Sequence, residues 1–200
     1  MALIIRELGK EPAINLVRLI IAHYMKRYGR GIRAEVLVKL LFFTLYTDLD
    51  GTKLLETPRV RLPEEFRIYL KGPFIPIDRL LGGETEMGMY GIVKTGDSYY
   101  VKGVNKTLEE ARRALEERGL KDLVDYALKI VDAYGGLSED ELIRRSLKVL
   151  GLEDEVIKAM AFNMSLDAYI DAITRLRKIV ESGEFIDETE LYPDLFKSSE

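Results

Sequence analysis

Apolar residues recur along this chain at two periods, and glycines fall where the period changes. Ile14, Val17, Ile21, Tyr24 and Tyr28 are spaced as one face of an α-helix. Leu16, Leu19 and Ile20 widen that face, Pro12 suits its first turn, and Gly29 and Gly31 mark its end. From Val36 to Tyr46 the chain is apolar almost throughout. The length of that run, together with the helical pattern beside it, favours a helix over a strand, from about Arg33 to Thr47. Its width predicts burial against several neighbours. Asp48, Asp50 and Gly51 form a turn; the rest of a calcium loop is missing, so no metal is assigned there.

The stretch from Phe66 to Gly103 organises the chain. Met87 to Lys94 and Ser98 to Lys102 are β-prone and flank Thr95-Gly96-Asp97. They predict a hairpin over 87–102. Before it, Lys53 to Pro63 reads as a loop or edge segment, Glu64 to Leu70 as a short helix or a strand, and Lys71 to Pro76 as a rigid turn. Ile77 to Leu81 reads as one helical turn. At the N-terminus, Leu3–Ile5 reads as a small strand.

Helical patterns return after the hairpin. Thr107 and Glu110 have the spacing of a capping box for Leu108 to Glu117. Lys121 to Tyr134 follows, closed by Gly135-Gly136. Ser138 and Glu141 form a second capping box, for a helix reaching Leu150. Leu152 to Phe162 predicts a short helix. Ser165 caps a last long one, in which Leu166, Tyr169, Ile170, Ile173, Leu176, Ile179 and Val180 keep the helical period as far as Ser182-Gly183.

The predicted fold is mainly α with a small β-hairpin and about six or seven helices. Two helices followed by a hairpin give the element order of a winged-helix-like core, here extended by C-terminal helices. The parts are a winged-helix-like region over 1–106, a C-terminal helical region over 107–183 packed with it as one unit, and an acidic tail over 184–200.

Charge changes the picture more than composition does. The net charge is −4, but residues 1–106 carry 17 Lys or Arg against 12 Asp or Glu, and residues 107–200 carry 13 against 22. Such a division suits a basic binding surface on one half, or attraction between halves within a fold or dimer. Cysteine is absent, which removes disulfides, thiolate metal sites and cysteine nucleophiles. No apolar run is long enough to span a bilayer and no signal-peptide core precedes Arg6, so the expected location is cytoplasmic, with no membrane partner.

The sequence assigns no catalytic, cofactor-binding or metal-ligating residue. His23 is the only histidine; it reads as a local hydrogen-bonding residue before it reads as a general base. Gly88, Gly91 and Gly96 interrupt a hairpin and do not lead from a strand into a helix, so they form no phosphate-binding loop. Acidic pairs such as Glu109 and Glu110 read as a solvated helix face. The candidate contacts to nucleic acid or an acidic partner are Arg27, Arg30, Arg33, Lys94 and Lys102, with Tyr90, Tyr99 and Tyr100 as aromatic surface beside them. The run 36–46 is too apolar to be an exposed reading helix. Tyr192, Leu195 and Phe196 in the acidic tail are candidate partner anchors.

Val38-Lys39-Leu40-Leu41-Phe42-Phe43, followed after an interval by Tyr69-Leu70-Lys71-Gly72-Pro73-Phe74, resembles the Panacea, or SocA-like, domain family. In that family a Lys-Leu-Leu-Tyr-like helix precedes a Tyr-x-x-Gly-Pro-like turn. Here Phe42 stands at the tyrosine-like position. The resemblance spans about residues 33–103 and implies a helical fold with little β-structure and an antitoxin-like or regulatory role; it carries no catalytic residues. The expected function is a non-enzymatic protein-interaction or regulatory module with a protein partner or as a homodimer. A DNA-binding transcriptional regulator and an enzyme of unknown class are the alternatives.

Overall fold

The computed structural model describes residues 6–182. The fold is mainly helical with two small sheets. Its long helices are α1 (Lys10–Tyr28), α2 (Ala34–Tyr46), α5 (Val104–Glu116), α6 (Lys121–Tyr134), α7 (Glu139–Leu150) and α9 (Leu166–Ser182); α3 (Ile77–Leu80), α4 (Gly83–Met89) and α8 (Glu155–Met160) are short. The strands are β1 (Ile32–Arg33), β2 (Arg67–Tyr69), β3 (Gly72–Phe74), β4 (Ile92–Thr95) and β5 (Ser98–Val101). The three short helices account for the excess over six or seven.

Helix α2 is the axis of the molecule. Every residue from Val36 to Tyr46 is buried, as its unbroken apolar run requires. It packs against α1, α6, α7 and β3, while α1 packs against α5 and α6. The helices after residue 107 thus share a core with those before it: Ile14, Leu41, Ala111 and Ile130 belong to one buried cluster.

One sheet has the order β1-β5-β4, all antiparallel, and β2 and β3 form a separate antiparallel pair. The predicted hairpin therefore exists, but over 92–101. Met87 to Met89 belong to α4, where Met87 is buried in the core and the Tyr90 N–H bonds to the Glu86 and Met87 carbonyls. Gly91, at φ 69°, turns the chain out of that helix into β4.

Three local readings change. Helix α5 begins at Val104, because Gly103 takes the left-handed conformation (φ 61°) just before it. Thr107 consequently lies inside the first turn, donating its hydroxyl to the Lys102 carbonyl at 2.7 Å. Within the segment 64–70, residues 67–69 form strand β2, and the Gly-Pro turn is strand β3. Ser138 does cap α7, accepting from the Glu141 N–H at 3.2 Å, but the Glu141 carboxylate turns to Arg144 and Arg145. Ser165 accepts from the Ala168 N–H at 3.5 Å at the start of α9. In α9, Leu166, Tyr169 and Ile170 are buried, whereas Leu176 and Val180 are exposed. The expected strand at Leu3–Ile5 lies outside the described residues. Among the described residues no helix is long and apolar enough to cross a membrane.

Candidate functional site

Two concave surfaces stand out, one against each β-hairpin. The first is a groove of about 610 Å³ beside β2–β3, lined by Tyr69, Leu70, Lys71, Phe74 and Phe162, with Lys39 and Glu35 at its base. The hairpin turns tightly through Leu70 and Lys71 and re-enters the strand at Gly72, whose φ is 85°. A side chain at Gly72 would meet the Ser146 hydroxyl at 3.0 Å, so glycine is what lets the hairpin lie on α7. Beyond β2, the Ile68 N–H donates to the Met164 carbonyl at 3.0 Å and the Asn163 N–H to the Ile68 carbonyl at 2.7 Å. This pairing brings Phe162 edge-on to Tyr69, their ring centroids 5.5 Å apart, and Phe74 packs on Tyr69 at 5.6 Å.

Beneath β3 lies the only fully buried lysine among the described residues. Lys39 donates to the Pro73 carbonyl at 2.9 Å and sits 2.8 Å from a Glu35 carboxylate oxygen. Burial pushes its ammonium pKa down, and Glu35 restores part of that loss. The Lys-Leu-Leu and Gly-Pro segments are thereby joined by one hydrogen bond. Above them the surface is apolar and open: Leu70 is 68% exposed, Phe162 50% and Met160 71%. Clustered exposure of large apolar side chains marks interaction surfaces, whereas scattered single residues do not.

The second surface is a cleft of about 400 Å³ between the β1-β5-β4 sheet and the start of α7. Tyr24, Arg30, Arg33, Tyr100 and Glu139 line it. Strand alternation divides the candidate cations here. Lys94 lies opposite Tyr99 and shares its face. Both reach Asp78, Lys94 at 2.5 Å and the Tyr99 hydroxyl at 2.7 Å. Burial disfavours the Asp78 carboxylate, but these two donors outweigh it and hold its pKa below the ordinary value. Tyr100 and the Arg33–Ser98 pair belong to the other face, and Lys102 follows the end of β5.

The five candidate contact residues are therefore not equivalent. Arg33 is held by Asp97 and Glu139, each at 2.7 Å, and Lys94 is held by Asp78. Arg27 lies 3.8 Å from Asp132. Arg30 and Lys102 make no ion pair among the described residues, nor does Lys26. His23 meets Asp132 at 3.0 Å. Tyr192, Leu195 and Phe196 lie outside the described residues. Among those residues no group of three or more His, Cys, Asp or Glu could hold a metal ion.

Sequence reasoning missed the groove. Tyr69 to Phe74 read as the end of an ambiguous element followed by a turn, because Pro73 argues against a strand. The signal present was the pair Leu70-Lys71 before a glycine, a hairpin turn. Nothing local to Phe162 shows that it closes the groove from 90 residues away. Compared with family models, with curated proteins and with solved structures, the chain finds no match.

Proposed function

We propose that this chain is a non-enzymatic protein-interaction module, antitoxin-like or regulatory, that grips its partner in the groove beside β2–β3. The observation carrying this reading is the apolar rim of Leu70, Phe74 and Phe162 exposed over a base in which Lys39 is bonded to the Pro73 carbonyl and paired with Glu35. Lys39 ties α2 to β3 through the Pro73 carbonyl, so its part in this reading is to hold β3 in place. Such a surface offers burial of apolar area, the main source of affinity between proteins.

A winged-helix-like core belongs to this reading. Its support is the succession α1, β1, α2, α3, α4, β4, β5, interrupted by the β2–β3 pair between α2 and α3, with sheet order β1-β5-β4. The helix ahead of the β4–β5 wing is α4, only seven residues long with Glu84 and Glu86 in its first turn. Carboxylates there repel duplex phosphates, which favours a protein partner over DNA. The SocA-like resemblance belongs to the same reading, and its two segments meet at Lys39 and Pro73.

Affinity capture from native cell extract, after nuclease treatment, tests the proposal with Leu70→Glu and Phe162→Glu beside the unaltered chain. The expected result is a reproducible partner whose recovery falls at least about tenfold with either variant, the loss of one interface anchor. Urea unfolding verifies that both variants keep the parent midpoint. Undiminished recovery, or no partner at all, overturns the reading.

A further inference from the structure

The sheet face that carries Tyr100 has features the groove does not use. We propose that it binds single-stranded nucleic acid, with a base stacked on the Tyr100 ring and the neighbouring phosphates on Lys26, Arg30 and Lys102. This goes beyond the protein-interaction reading and uses a different surface.

Four observations converge. Tyr100 is 36% exposed, although the strand residues beside it, Tyr99 and Val101, are buried. Its ring is backed by Gly31: a Cβ there would lie 2.4 Å from the ring carbon bearing the hydroxyl. The backbone thus supports the ring and fixes it as a platform. Lys26, Arg30 and Lys102 are exposed cations without a carboxylate partner among the described residues. The Val101 N–H donates to the Met25 sulfur at 3.2 Å, which docks the end of α1, with Lys26 next to Met25 and Arg30 just beyond the helix, on the end of β5, which Lys102 follows.

Three carboxylates in this region are already engaged, and Asp140 is the one without an ion pair among the described residues. Asp97 and Glu139 bridge Arg33, Glu139 also lies 3.8 Å from Lys71, and Asp132 faces His23 and Arg27. The unpaired charge left over is positive, despite a net charge of −4 for the chain.

A single strand fits better than the two other sources of the same chemistry. A duplex hides its base faces, so it could not use Tyr100, and no protruding basic helix stands here to enter a groove. A free mononucleotide would fill the cleft at Arg30 and Tyr100, but Lys26 and Lys102 lie outside the cleft lining. A strand following the surface reaches all three cations, and an aromatic platform within a cationic track suits any base.

Fluorescence anisotropy with labelled single-stranded oligo-dT and oligo-U, a matched duplex and UMP as competitor tests the proposal. Three phosphate contacts predict a roughly 40-fold loss of affinity for a single strand between about 50 and 300 mM salt. Tyr100→Ala should weaken binding at least about fivefold while Tyr100→Phe retains it, because stacking needs the ring and not the hydroxyl. Arg30→Glu with Lys102→Glu should remove binding, and Leu70→Glu should leave it unchanged. That last variant separates this proposal from the groove: failure of one does not carry the other. No binding at low salt, equal or tighter binding of the duplex, UMP competing as well as an oligonucleotide, or indifference to the Tyr100 and charge variants overturns it.

Discussion

The two hairpins are neighbours in sequence and opposites in how they are held. The β4–β5 hairpin is a local object: four residue pairs in continuous register, a turn through Gly96, and β1 added at its edge. The β2–β3 hairpin has three pairs and contains Pro73. It is completed from elsewhere, by residues 163–166 along β2 and by Lys39 from α2 beneath β3. The self-paired hairpin turns Lys94 and Thr95 to water, with Val93 and Tyr100 only about a third exposed. One stapled on both sides by distant segments can leave apolar residues outside, and Leu70 and Phe74 are what it leaves. The difference between local and remote support is measurable.

The largest effect is expected under β3. Lys39→Ala should cost on the order of 3–5 kcal/mol, because it opens a cavity and strands the Pro73 carbonyl and the Glu35 carboxylate. Urea unfolding checks this, and a loss below about 1 kcal/mol would show that β3 does not depend on the lysine. The pH dependence has a definite sign. The folded pKa of Lys39 lies below its unfolded value, so in the window beneath about 10.4 the unfolded chain binds the extra proton and stability rises with pH. Lys39→Met, which keeps the side-chain volume, should remove that rise; comparing the two proteins at several alkaline pH values isolates it from other titrations.

Gly72→Asn comes next, at about 1–3 kcal/mol of overpacking. Asparagine tolerates the left-handed backbone, so the cost here is the collision with Ser146 and Leu147 of α7. The matching measurement on the other hairpin is Tyr99→Phe, which removes the hydroxyl bonded to Asp78. A hydrogen bond to a carboxylate that is half exposed predicts about 1.5 kcal/mol, the low end for a charged acceptor. A larger loss there would mean that the β4–β5 pair also leans on remote contacts.

The same contrast explains what the sequence could disclose. The buried axis α2, the Ser138 and Ser165 caps and the existence of the second hairpin all rest on periodicity or turn chemistry within a few residues. The reading failed where a short element owes its state to distant contacts. Met87–Met89 became a helix because Met87 has a place in the core. Thr107 lost its capping position to the unnoticed left-handed Gly103. The groove was illegible because its walls, Tyr69 and Phe162, meet only after folding. Of the five candidate cations, sequence could not tell Arg30 and Lys102, left unpaired, from Arg33 and Lys94, whose carboxylates arrive from other elements.

The smallest predicted effect is the sharpest test of locality. Gly96 sits at the tip of β4–β5 with φ 61°, and a side chain built there meets nothing within 4 Å. Its demand is therefore conformational alone, and Asn is the non-glycine residue best suited to the left-handed region. Gly96→Asn should shift stability by only about 0.5 kcal/mol or less, within the range of exposed substitutions. It should also leave binding at Tyr100 unchanged, since the register through Val93 and Tyr100 is fixed by the strands and not by the identity of the turn residue. The same substitution at Gly72 supplies the control, because both glycines have positive φ and only one has α7 against it. Urea midpoints for the pair then separate backbone preference from remote packing. Equal losses at the two sites would show that conformation alone sets both turns, and the distinction between a self-sufficient and a stapled hairpin would fall.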